Sequence, residues 1–167
     1  MVRLLQKDKY TNKKYFIMDN SKTVSTLNDL LNITNDRIKG FSKVEDKVWE
    51  TYSPLKNDYD QMVRESQTMK SDLIALISER GCEVDDTSTT AGALHRTWID
   101  VKNAFGGDNV ESTLENVVFG ENAAIDAYEE ALEDGNLCPQ STTVVARQLE
   151  QLKSSYAKFE TLNTNVD

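Results

Sequence analysis

At 167 residues the chain has the length of one domain, and folding at this size removes about two-thirds of the unfolded chain's surface from water, enough for a real core. Two prolines and seven glycines leave long uninterrupted stretches, and the net charge of −9 is unevenly spread: residues 1–17 carry five cations against Asp8, while residues 18–167 hold the remaining excess of acid, −13. A body this acidic argues against a phosphate backbone or an anionic membrane as its partner, and no apolar run is long enough to span a bilayer.

With no secretory-type apolar stretch at the N-terminus, the expected location is cytoplasmic. Two cysteines, Cys82 and Cys138, have no metal-ligand spacing and are expected to be thiols in a reducing compartment. Residues 1–17 lack a helical apolar period and are rich in Lys, Asn and Tyr, so they read as a non-core extension ahead of a bundle over 18–167.

From Ser21 the apolar positions Val24, Leu27, Leu31, Ile38, Phe41, Val44 and Val48 recur at the 3-and-4 spacing of one buried stripe, which predicts a first long helix over 21–51. Ser53-Pro54 then supplies a cap residue and a proline at the first helical position. A second helix follows through Leu55, Tyr59, Met62, Met69, Leu73 and Leu76, with Gly81 as its stop.

Residues 82–91 are polar, and Leu94, Trp98, Val101 and Phe105 mark a short helix closed by Gly106-Gly107. Leu114, Val117, Val118, Ile125, Tyr128 and Leu132 predict a third long helix over 109–134. Val145, Leu149, Leu152, Tyr156, Phe159 and Leu162 predict a fourth over 140–163.

Short loops make helices one and two, and three and four, antiparallel hairpins. The connection over 82–108 is long enough to climb the bundle and start helix three at the far end. The fold expected is therefore all-α: a four-helix bundle of ferritin-like topology, with a long crossover containing a short helix between helices two and three. Cys82 and Cys138 would then share one end face.

A site inside such a bundle must be made of polar residues on apolar stripes. Glu121 is the clearest, because the helix-three stripe passes through it between Val117 and Ile125. A buried carboxylate needs a cation, a Tyr hydroxyl or a metal beside it. Glu45 lies at the boundary of helix one, Glu65 and Asp72 lie beside Ser66 and Met69 on helix two, and Gln148 and Glu150 flank Tyr156 on helix four.

A di-iron centre of this fold uses a Glu from each of two helices and a Glu-x-x-His pair from each of the other two. The chain has one histidine, so no metal or other cofactor is expected. Iron or manganese on Glu121, Glu45, Glu65 or Glu150 is the alternative. His95 reads as a packing residue of the crossover helix, Trp98 as core, and Arg96 as either a surface Arg or the ion-pair partner of an inward carboxylate. Cys138, just before Pro139, sits where a helix dipole favours a thiolate, though a spectator thiol is the plainer reading. No phosphate loop or catalytic constellation is present, so no catalytic residue is assigned.

Val24 to Leu31, Asn35 to Phe41, Leu94-His95-Arg96-Thr97-Trp98 and Phe119-Gly120-Glu121 through Tyr128 to Leu132 together resemble an uncharacterised bacterial four-helix-bundle family, a domain of unknown function in the ferritin-like superfamily. The signature positions are His95, Arg96, Trp98, Glu121, Tyr128 and Tyr156. Where this chain has Tyr156, the resemblance implies a frequent His, a departure that weakens metal binding further.

The expected function is that of a non-enzymatic, self-associating bundle with a stress-associated or structural role, binding no nucleic acid. The alternatives are a degenerate metal-binding bundle and a small-ligand bundle lined by Glu121, Tyr128 and Tyr156.

Overall fold

The computed structural model describes residues 2–42, 44, 46, 48–80 and 110–163, and among these every regular element is helical. Helix α1 spans Val2–Phe41 and α2 is a single turn at Val48–Thr51; a 3-10 turn at Ser53–Leu55 leads into α3 (Lys56–Ser78). Helix α4 spans Val110–Glu133 and α5 spans Pro139–Asn163. The crossover residues 94–105, with His95, Arg96 and Trp98, lie outside the described residues, as do Glu45 and Cys82.

The helix limits found over the first third of the chain differ from those expected. Helix α1 begins at Val2, so residues 2–17 continue the same helix rather than breaking from it. No proline or glycine occurs before Gly40, and once a helix is nucleated each further residue adds a hydrogen bond, so propagation does not need an apolar stripe.

The other end of α1 stops at Phe41 instead of residue 51. Turn bonds from Ser42 N–H to Ile38 O and from Val44 N–H to Phe41 O close it, and Tyr59 donates its hydroxyl to the Phe41 carbonyl, one of the acceptors a helix terminus leaves open. Val48 is still buried, but as part of the separate turn α2. Ser53 does not cap helix α3: the residue before the 3-10 turn is Tyr52, no side chain bonds the first N–H groups there, and Pro54 sits in the first turn.

The two remaining long helices match their stripes to within a residue, α4 as Val110–Glu133 and α5 as Pro139–Asn163. Between them Gly135 takes φ +66°, a left-handed conformation that ends α4.

The core has two apolar clusters stacked along the bundle. One holds Leu27, Leu31, Leu73, Ile77, Ala131 and Val145; the other holds Phe41, Trp49, Leu55, Tyr59, Val117 and Phe159. Their membership fixes the helix directions. Helix α1 runs from the first cluster to the second, α3 returns, α4 begins at the second and ends at the first, and α5 runs back. Helices α3 and α4 are therefore parallel, and the connection between them joins opposite ends of the bundle. The α4–α5 loop meets α1 through a 2.6 Å bond from Thr23 Oγ1 to Asn136 O, and meets the end of α3 through Gln140 Nε2 to Glu79 Oε2 at 2.9 Å.

Candidate functional site

Each long helix interrupts its apolar stripe with polar residues, and the interruptions meet between the two clusters. Helix α1 contributes Thr34 and Arg37, three residues apart and in line with Leu27, Leu30 and Phe41. Helix α3 contributes Ser66 and the backbone of Met69, α4 contributes Glu121 and Tyr128, and α5 contributes Gln148. Thr34, Ser66, Glu121, Tyr128 and Gln148 have no solvent exposure, and the Arg37 side chain has 3%.

The charges are paired across α1 and α4. Arg37 donates from Nε at 2.8 Å and from Nη2 at 2.5 Å, both to Glu121 Oε1. Its third nitrogen, Nη1, lies 3.9 Å from Met69 Sδ, and its guanidinium carbon is 5.3 Å from the centroid of the Phe41 ring. The second carboxylate oxygen, Oε2, is buried and accepts no hydrogen bond from a described residue. Burial pushes the Glu121 carboxyl above its ordinary range; Arg37 pulls it the other way by charge and hydrogen bond, and Glu65 adds a smaller upward push.

The uncharged part of the layer ties the two hairpins together. Tyr128 Oη lies 3.2 Å from Thr34 Oγ1 and donates to Gln148 Oε1 at 3.0 Å. Gln148 Nε2 donates to the Met69 carbonyl at 3.2 Å, and Thr34 returns a bond to Leu30 O at 2.8 Å. Burial raises the Tyr128 phenol above its usual value, so it remains a neutral donor.

The other residues singled out by sequence are scattered. Glu65 is half-buried and receives a 2.7 Å bond from Gln61 on its own helix, and Glu150 is exposed. Tyr156 is half-buried, and its hydroxyl turns along α5 to Glu160 at 3.0 Å instead of entering the interior. The Tyr156 hydroxyl is thus not directed at Glu121 or Tyr128, because Tyr156 lies at the outer margin of its stripe. Gln148, read as flanking, is the inward residue of α5: it falls three residues after Val145 and four before Leu152.

While Arg96 lies outside the described residues, Glu121 pairs with Arg37, a residue the sequence reading does not single out. The signal for it was present in the spacing, since Arg37 shares the α1 face with Thr34 and Phe41 as well as Ile38 does. Ile38 is only half-buried.

At the bundle end, the Cys138 thiol accepts from Arg80 Nη2 and lies 3.4 Å from Ser141 Oγ. Its partial burial would raise the thiol, but the Ser141 hydroxyl and backbone N–H, with the Arg80 charge, outweigh this and lower it.

Chemically, the layer holds one ion pair and a chain of neutral donors and acceptors. Arginine does not act as a base, and in this layer the carboxylate oxygen that accepts hydrogen bonds, Glu121 Oε1, accepts them from Arg37. Among the described residues no three His, Cys, Asp or Glu side chains are grouped so as to hold a metal ion. No described helix is long and apolar enough to cross a membrane.

No curated protein and no solved structure matches the chain. One family model does, over residues 22–134, which takes in α1 from Lys22, α3 and α4 with the Arg37–Glu121 pair but not Gln148. That match covers well over half of the sequence, and the chain therefore belongs to the family described as Domain of unknown function (DUF2383).

Proposed function

We propose that this chain is a non-enzymatic bundle of ferritin-like topology, self-associating, with a structural or stress-associated role in the cytoplasm and with neither nucleic acid nor membrane as its partner. The observation that carries the reading is the neutralisation of Glu121 by Arg37. In a carboxylate-bridged bundle the inward glutamates are held for metal; here the inward glutamate is engaged by a cation from the chain itself. The parallel direction of α3 and α4 supports the ferritin-like topology, because it requires one long crossover. The acidic body supports the exclusion of polyanions.

The test is elemental analysis of protein purified without chelator or affinity tag, alongside its mass by light scattering. Substoichiometric iron and manganese with a multimeric mass are expected. A stoichiometric complement of either metal would overturn the non-metal reading, and a monomer mass would remove self-association.

A further inference from the structure

We infer that the bundle interior contains a guanidinium site, filled by Arg37 of the same chain, whose walls select a planar, delocalised cation. This rests on the ferritin-like reading above and goes further, because it names the chemical class the interior accepts.

The surroundings of Arg37 match a planar, delocalised cation at each edge. Nε and Nη2 converge on Glu121 Oε1, Nη1 faces the soft sulfur of Met69, and the flat of the group lies near the Phe41 ring. An ammonium would reach the carboxylate as a point charge but would leave the sulfur and ring without their partner. A divalent metal would need several anionic or imidazole donors, and among the described residues the group around Arg37 offers one carboxylate, a thioether and an aromatic face.

Truncating Arg37 should therefore leave a hole whose walls still select a guanidinium. The experiment compares thermal melts of the full chain, Arg37→Ala and the Arg37→Ala/Glu121→Gln double variant in millimolar methylguanidinium chloride or methylammonium chloride. Arg37→Ala should melt lower than the parent. Methylguanidinium at ten times its dissociation constant should raise the midpoint of Arg37→Ala by about 4 °C. The parent and the double variant should not respond, and methylammonium should do less.

Equal responses of the single and double variants, or manganese binding by Arg37→Ala in preference to methylguanidinium, would overturn the inference. Should Arg37→Ala fail to fold, Arg37→Lys decides: it keeps the charge and loses the planar fork, so it should melt below the parent, and parental stability would show that any cation suffices. Failure here with a metal-free parent leaves the proposed function standing, whereas stoichiometric metal in the parent removes that reading independently.

Discussion

Two charges buried in one bundle are costly to bring out of water, and the Arg37–Glu121 pair persists because each is the other's compensation. Removing one partner strands the other. Arg37→Met or Glu121→Gln alone should each lower unfolding free energy by about 3 kcal/mol, while the combined variant, with neither charge of the pair, should recover most of the loss. Urea titrations of the four proteins measure this, and a double variant as unstable as the sum of the two singles would contradict it.

Burial of Glu121, which outweighs the opposing pull of Arg37, also sets a pH dependence. The folded Glu121 carboxyl is raised above its ordinary 4.5, so between that value and the folded one the native state holds more protons than the unfolded state. The contribution of Glu121 is complete below pH 4.5 and is lost as pH rises through the folded value. Stability of the parent relative to Glu121→Gln should therefore fall as pH rises from 4.5 through the folded value, as urea midpoints at a series of pH values would show.

The burial of Glu121 was legible because a carboxylate in the middle of an apolar stripe has nowhere else to point. Its partner was not, since an arginine beside an isoleucine leaves the face ambiguous: Arg37 and Ile38 are one position apart, 100° around the helix, and either could complete the stripe. What decides is the carboxylate across the interface, a fact about α4 that the spacing within α1 does not contain.

Helix ends show a similar division. The stripes of α4 and α5 gave their limits closely because glycine and proline punctuate the loop between them. Helix α1 was misjudged at both ends. Its N-terminal extent follows from propensity and propagation, which leave no apolar pattern, and its C-terminal end follows from a turn whose closing bond comes from Tyr59, eighteen residues away.

Two glycines separate backbone need from space. Neither Gly40 nor Gly135 has an atom within 4 Å of where a Cβ would sit, so an alanine meets no obstacle at either. Gly135 has φ +66° and Gly40 lies within α1. Gly135→Ala should cost about 1 kcal/mol through the left-handed conformation alone. Gly40→Ala should stabilise by roughly 0.5 kcal/mol, because it restricts the unfolded chain and suits the helix. Chemical denaturation of the two variants would settle the signs, and a loss at Gly40 equal to that at Gly135 would show that α1 is not helical there.

The whole bundle is two antiparallel hairpins, α1 with α3 and α4 with α5, and its unity depends on what crosses between them. Apolar packing does so at both ends. In the middle the crossing is made by Arg37–Glu121 and Thr34–Tyr128 from α1 to α4, and by Gln148 to the Met69 carbonyl from α5 to α3.

Surface pairs span the same joint, such as Arg147–Asp72 at 2.6 Å and Lys158–Asp58 at 2.9 Å. Exposed pairs of this kind are worth about 0–1 kcal/mol, since water already solvates both partners and ordering long side chains costs entropy. Tyr128 is different because it is wholly enclosed and answers to both Thr34 and Gln148. Tyr128→Phe keeps the ring's packing and removes one hydroxyl, leaving Gln148 Oε1 buried without that donor, which should lower stability by about 1–2 kcal/mol. Arg147→Ala, at the same α3–α5 joint but in water, should change it by less than about 0.5 kcal/mol. If the interior layer holds the hairpins together, Tyr128→Phe combined with Gln148→Leu should cost less than the sum of the singles, because the second change removes the acceptor the first one strands. A cycle measured by urea denaturation with strictly additive losses would mean that the apolar clusters alone unite the hairpins and that the polar layer only fills the space between them.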